Sequence, residues 1–241
     1  LEGATDPDAT FDMAGRNGLA LPVSTREAWR AFYTFRDFNH FIDVYLLVAG
    51  AMQKPDDYVS MVESYMRTQA EQGIVYSEVF FSPLLHRQKF PMAVVLDALS
   101  EGVRRGAERW GTRVRFIPAV SREMSRTDPA LQRYVLDFAL EARDRGIGVG
   151  FGLAGKEIGH PPEAFTEIFA EARRAGLNVV AHGGETGGPD SVRGALTALQ
   201  AQRIGHGVRA IEDPTLVEAL CRARVPLEVS PQSNYSLGVV A

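Results

Sequence analysis

The densest chemistry in this chain lies in Val179-Val180-Ala181-His182-Gly183-Gly184-Glu185. A run of β-branched and small apolar residues delivers a histidine to what reads as the C-terminal end of a strand. Two glycines then allow a turn tight enough to bring a carboxylate, three positions on, into the same space. A neutral imidazole there can ligate a metal, and a carboxyl group can move protons. For a lone histidine, a surface turn with incidental polar residues is the competing reading. Arg203-Ile204-Gly205-His206-Gly207 repeats the device, with glycines on both sides clearing space around His206. Two adjacent strands would then present His182, Glu185 and His206 at one rim. Gly150-Phe151-Gly152-Leu153-Ala154-Gly155 has the GxGxxG spacing of a dinucleotide fingerprint, which requires the glycines to open a helix directly. Pro161-Pro162 puts the next helix start several residues further on, so these glycines are expected to end a strand and line a loop. The chain has no GxSxG, P-loop or paired CxxC pattern, which leaves hydrolase-elbow, nucleotide-loop and cysteine-metal chemistry without support. His86 reads as a loop residue, and His40 and His160 read as structural.

Such side chains need a scaffold to position them. From about Tyr58 onward, amphipathic helical patterns alternate with short runs rich in Val, Ile and Phe, the signature of βα units around a parallel sheet. Strands are expected at 75–82, 114–121, 147–153, 178–182, 203–206 and 227–230, and helices at 57–72, 92–109, 129–145, 162–175, 190–201 and 214–223. Asp128-Pro129, Pro161-Pro162, Pro189-Asp190 and Asp213-Pro214 mark helix starts; Gly73, Gly146 and Gly176 mark ends. Polar residues and glycines crowd the C-terminal ends of the strands, which favours a closed (β/α)8 TIM barrel over an open doubly wound α/β sheet. Upstream, 25–35 and 38–52 read as inserted helices rich in aromatics, Phe38 and Phe41 among them. Their spacing fits core packing, with a lid over a planar substrate as the alternative.

Composition bounds the function. With 241 residues, 45% hydrophobic and 23% charged, the chain reads as one globular domain, and disorder and coiled coil are excluded. A net charge of -4 removes the diffuse attraction that drives non-specific nucleic-acid binding. The longest apolar stretch, 44–52, falls well short of the ~20 residues that span a bilayer. The single cysteine, Cys221, excludes an internal disulfide, reads as a buried small hydrophobe, and suits a reducing, cytoplasmic setting.

Six motifs then stand in a telling order: Leu1-Glu2-Gly3-Ala4, Phe81-Ser82-Pro83, Leu153-Ala154-Gly155, His182-Gly183-Gly184-Glu185, Arg203-Ile204-Gly205-His206-Gly207 and Ser230-Pro231-Gln232-Ser233-Asn234. Together they resemble the adenosine/adenine deaminase family of zinc-dependent (β/α)8-barrel amidohydrolases, from the first residue to the last. The resemblance implies roles residue by residue. His182 is a zinc ligand, and Glu185 is the acid/base that protonates purine N1 and assists the attack of activated water on C6. His206 orients and polarises that water without being a ligand. The Gly155 N–H donates to purine N3, Glu2 accepts from a ribose 5′-hydroxyl, and Phe38, Phe41 and Ile42 cover the sugar and base. It also implies one zinc per chain and a small-molecule purine substrate, with neither nucleic acid nor membrane as partner; oligomeric state stays open.

The expected activity is hydrolytic deamination of a 6-aminopurine nucleoside, adenosine or a close analogue, to the 6-oxo product and ammonia. Adenine, or a 5′-modified adenosine such as aminodeoxyfutalosine, is the alternative substrate. The departures from the family pattern also matter. The family's HxH pair would sit just before Leu1 and its aspartate pair beyond Ala241, so only His182 of the metal shell falls within the chain. Gly183 replaces a usual alanine, Ser230 a usual cysteine, and Lys156 stands where an acidic or amide residue is common. A catalytically silent barrel with a binding role is the rival that the missing ligands motivate. The expectation is therefore one catalytic barrel domain over 1–241, carrying about six of the eight βα units and a helical lid. Its first and last strands would lie outside, the run from Leu237 to Ala241 would enter a further strand, and the natural polypeptide would extend at both ends.

Overall fold

The computed structural model describes residues 1–240. In chain order its helices and strands are α1 (Pro7–Arg16), α2 (Arg26–Phe32), α3 (Phe38–Ala51), α4 (Pro55–Glu71), β1 (Tyr76–Phe81), α5 (Met92–Trp110), β2 (Arg113–Ser121), α6 (Arg122–Ser125) and α7 (Pro129–Asp144). They continue as β3 (Gly150–Ala154), α8 (Thr166–Arg174), β4 (Asn178–Gly183), α9 (Pro189–Thr197), β5 (Arg203–His206), α10 (Pro214–Ala223), β6 (Leu227–Glu228) and α11 (Pro231–Ser236). The strands lie in the order β1-β2-β3-β4-β5-β6, so each neighbours the next in sequence. From β2 onward the registers are parallel, with Leu153 opposite Ala181 and His182 opposite Gly205. Helices fill the crossovers, and the architecture is α/β, matching part of a TIM barrel. The parallel registers bring the C-termini of β2 to β6, with the loops that follow them, to one edge of the sheet.

Contacts divide the chain into two compact units. The first holds Leu1–Phe81, Leu85–Phe116 and Ser236–Gly238. Here α4 and α5 pack backbone-close: a Cβ on Gly102 would meet Val62 Cβ at 2.7 Å, and one on Gly106 would meet Met66 Cε at 2.9 Å. Trp29, Tyr58, Met61, Met66, Leu96 and Leu99 fill its core. The second unit holds Ser82–Leu84, Ile117–Tyr235 and the residues from Val239 on. Its core joins Val135 and Leu136 of α7, Phe151 and Leu153 of β3, Phe169 of α8, Val179 and Ala181 of β4 and Ile204 of β5. The helix starts expected at Pro129, Pro189 and Pro214 are built as read. Asp128 accepts from the Ala130 and Leu131 N–H groups at 3.0 and 3.2 Å, and Asp213 from Thr215 and Leu216 at 3.0 and 3.2 Å. Each such cap is worth about 1 kcal/mol.

Some expectations need correction. β3 starts at Gly150, not at 147, because the Ile147 and Gly148 N–H groups both turn back onto the Ala142 carbonyl. The helix expected over 162–175 is a 3₁₀ turn, Pro162–Phe165, followed by α8. Three helices were not foreseen: α1, α6 and α11. Leu237–Val240 form turn and irregular backbone instead of a strand entrance, with the Val239 N–H returning to the Asn234 carbonyl at 2.8 Å; Ala241 lies outside the described residues. Cys221 is exposed, not buried, because the inward stripe of α10 runs through Leu216 and Leu220 and the next position turns away. Among the described residues, no helix is long and apolar enough to cross a membrane.

Candidate active site

In the second unit, β4 and β5 carry His182 and His206 to the same edge. His182 stands opposite Gly205 in the register, and that glycine is required by space: a Cβ there would meet His182 Cε1 at 3.0 Å and Cγ at 3.2 Å, and Nδ1 closer still. The two imidazoles meet edge to face, with ring centroids 5.1 Å apart and planes at 87°. Burial, reinforced by the positive charge that His206 can carry, holds the His182 ring neutral and pushes its pKa down to about 3. Neutral imidazole is the form that binds a metal.

His206 sits in the left-handed backbone region at φ 65°, and Gly207 follows at φ 71°. Its ring is oriented by Asn234 on α11. The Asn234 Nδ2 donates to the Val229 carbonyl, which turns Oδ1 towards His206 Nδ1 at 2.8 Å. The acceptor requires the proton on Nδ1, so in the neutral ring Nε2 is the unprotonated nitrogen, 3.6 Å from Glu185 Oε1. Glu185 is 6% exposed. Burial raises its carboxyl above the ordinary carboxylate range; His206 opposes that shift and the Glu157 charge adds to it.

The turn that carries Glu185 is held at nearly every peptide. Glu157 Oε2 accepts from the Gly184 N–H at 2.8 Å, and Oε1 from the Glu185 and Thr186 N–H groups at 2.8 and 2.9 Å. On the carbonyl side, the buried Arg122 donates through Nη2 to the His182 carbonyl at 2.7 Å and through Nη1 to the His160 carbonyl. The Gly207 N–H donates to the Gly183 carbonyl at 2.9 Å, and the Arg209 N–H to that of Gly184 at 3.0 Å. Gly184 needs its freedom, with φ 72° and Val192 Cγ2 standing 2.7 Å from where a Cβ would be.

Gly155 follows β3 at φ 97°, with no helix start beside it, as its reading as a strand end required. The Glu123 carboxylate fills the space beside it, its Cδ 3.1 Å from where a Cβ would stand, and accepts the Lys156 N–H at 2.7 Å. Gly155, His182, Glu185 and His206 therefore all belong to the second unit. Glu2, Phe38 and Phe41 belong to the first. Glu2 is buried in a 3₁₀ turn, its Oε1 3.2 Å from His86 Nε2, and His86 Nδ1 meets the Tyr58 hydroxyl at 2.9 Å. His86 is thus a buried bridging residue, stacked on Phe81 at 5.1 Å. Phe38 and Phe41 neighbour each other on α3 at 6.2 Å, and Phe41 packs edge to face on Phe35 at 5.3 Å.

Glu157, Arg122 and Asn234 were not singled out by sequence. Asn234 lies within Ser230-Pro231-Gln232-Ser233-Asn234, and Glu157 directly follows Leu153-Ala154-Gly155-Lys156; no sequence feature marks Arg122. Among the described residues, no group of three His, Cys, Asp or Glu side chains comes together to hold a metal ion. His182 fits a zinc shell as a neutral nitrogen donor, but a catalytic zinc takes about three protein ligands.

The sequence model of adenosine deaminase matches residues 1–241. The chain belongs to the adenosine deaminase family. It is 38% identical over 240 residues to an adenine deaminase of Geotalea uraniireducens, covering 99% of this chain and 66% of that protein. The chain thus spans about two thirds of the length of the curated relatives it matches. The crystal structure of an adenine deaminase from Arthrobacter aurescens superposes with a TM-score of 0.86 at 31% identity, over 99% of this chain and 72% of that one. An amidohydrolase from Burkholderia ambifaria with bound zinc superposes at 0.87 and 25% identity, over 100% of this chain and 65% of that one. The resemblance read from the six motifs is thereby shown.

Proposed function

We propose that this chain carries the acid/base half of a zinc-dependent aminohydrolase. The reaction replaces the 6-amino group of a 6-aminopurine by oxygen and releases ammonia. The observation that carries the reading is Glu185: a buried carboxyl with its pKa raised, beside a histidine whose tautomer is fixed, on a turn braced from both sides. Zinc, when bound, supplies the Lewis acidity that makes water a nucleophile at neutral pH. His182 would contribute to holding it, and the zinc in the Burkholderia ambifaria neighbour supports that role.

Glu185 in its acid form donates a proton to ring N1, so that addition of water at C6 leaves no negative charge on the ring. His206 Nε2 accepts a hydrogen bond from the attacking water and aims it. The Gly155 N–H is read as the donor to purine N3, and Glu2, Phe38 and Phe41 as contacts to the rest of the ligand. The family match over 1–241 supports treating the chain as part of one catalytic barrel domain. The substrate class is free adenine or its nucleoside, and the naming of the relatives as adenine deaminases puts the free base first.

The test follows the loss of absorbance of adenine and of adenosine with the natural polypeptide loaded with zinc, against Glu185→Gln. Turnover of either substrate that falls at least ~100-fold in the variant is expected. Equal rates would remove Glu185 from the chemistry, and no turnover with almost no bound zinc would favour a silent barrel.

A further inference from the structure

Glu157 is a buried carboxylate that the reaction itself does not use. Its surroundings are unusual for a structural acid: three consecutive residues, Gly184, Glu185 and Thr186, donate their N–H groups to it at 2.8, 2.8 and 2.9 Å, and the Gly187 N–H adds to the same side. Three successive N–H groups can converge on one carboxylate only if the backbone curls around it, as a nest does around an anion. Both oxygens are committed. Gly187 closes the same side, since a Cβ there would stand 2.7 Å from Glu157 Oε2. The opposite charge sits across the turn, where Arg122 is buried and grips the His182 carbonyl at 2.7 Å. The anion faces the N–H ends of these peptides and the cation a carbonyl end, so both charges favour the same curl.

We propose that Glu157 is a positioning residue: its carboxylate is the template on which residues 184–186 wrap, and it fixes the place from which the Glu185 side chain reaches the substrate. The inference rests on the reading of Glu185 as the acid/base. It requires an acceptor at both oxygens of residue 157. An amide there keeps the shape but sets an NH2 group against one of the three N–H donors, which unseats the turn without opening a cavity.

The experiment uses the natural, zinc-loaded polypeptide and pairs Glu157→Gln and Glu157→Ala with Glu185→Gln in a double-mutant cycle. Glu157→Gln is expected to lower kcat about 100-fold, the cost of a displacement of roughly 1 Å in a catalytic group. KM for adenine or adenosine should stay within about threefold and zinc content should be unchanged. Amide hydrogen exchange at 184–186 should accelerate. On the residual rate of the Glu185→Gln background, adding Glu157→Gln should cost less than about threefold, because the residue being positioned is already disabled. The same fold loss in both backgrounds, an unchanged kcat, or unchanged exchange at 184–186 would each overturn the proposal. Should Glu185→Gln itself retain the full rate, it is the acid/base reading that fails. Exchange at 184–186 in Glu157→Gln and Glu157→Ala then still decides whether Glu157 holds the turn.

Discussion

Replacing Gly205 by alanine should disturb the site by displacing the His182 ring. A Cβ at 205 would stand 3.0 Å from His182 Cε1, 3.2 Å from Cγ and nearer still to Nδ1, all inside ordinary van der Waals contact. His182 and Gly205 are also paired across β4 and β5, so the strands cannot part locally without losing ladder hydrogen bonds. The ring must move instead, by roughly 1 Å, or the core must absorb an overpacking cost of about 1–3 kcal/mol. For a chain of this size that cost lowers Tm by ~2–4 °C per kcal/mol. Displacement of the imidazole should also weaken zinc binding about 10- to 100-fold, as loss of a supporting contact does at other metal sites. Calorimetry, zinc titration and the absorbance assay on Gly205→Ala measure the three effects. Gly15→Ala on α1 is the control: nothing lies within 4 Å of its would-be Cβ, and about 0.5–1 kcal/mol of stabilisation is expected there. A Gly205→Ala variant with unchanged Tm, zinc affinity and rate would refute the placement of the His182 ring.

Two further predictions concern the histidines. Asn234→Leu removes the acceptor that keeps the proton on His206 Nδ1, so kcat should fall about 10- to 100-fold while zinc content holds; an unchanged rate would show that the tautomer is fixed by something else. In the metal-free chain the His182 pKa is lowered from 6.5 to about 3, so unfolding takes up a proton anywhere between those values. The stability associated with its neutral form is whole above its unfolded pKa and is lost as pH falls towards the folded one. The urea midpoint should therefore drop between about pH 7.5 and 5, and less so for His182→Gln; equal drops in the two proteins would count against burial of a neutral ring.

The parts of the site that sequence revealed share one property: they are local. His182 and Glu185 follow one apolar run and adjoin Gly183 and Gly184, and His206 stands between Gly205 and Gly207, so strand end, turn and functional group can be read within seven residues. Their supports come from elsewhere in the chain. Glu157 reaches the turn from 27 to 29 positions away, Arg122 from 60, and Asn234 meets His206 across 28. No periodicity marks such partners, because their role exists only once the sheet has aligned β2 to β6. Helix α1 escaped notice for another reason. Only Thr10, Met13 and Ala14 of its ten residues are buried, too few to draw an apolar stripe, and its start depends on the Asp6 side chain accepting from Asp8 and Ala9. The β3 boundary moved because Ile147 is apolar yet its N–H belongs to the preceding turn.

His206 stands at φ 65°, a conformation that an L-residue with a Cβ adopts at a cost of order 1 kcal/mol and that glycine or asparagine accepts more readily. Thermal endurance and chemistry therefore pull position 206 in opposite directions. In a population screened for heat tolerance alone, this codon would be a favourable place to drift, and each winner there would have surrendered the nitrogen that faces Glu185. A screen that scores turnover beside melting temperature would hold the histidine in place, and the contrast between the two would reveal what the site demands of its own backbone.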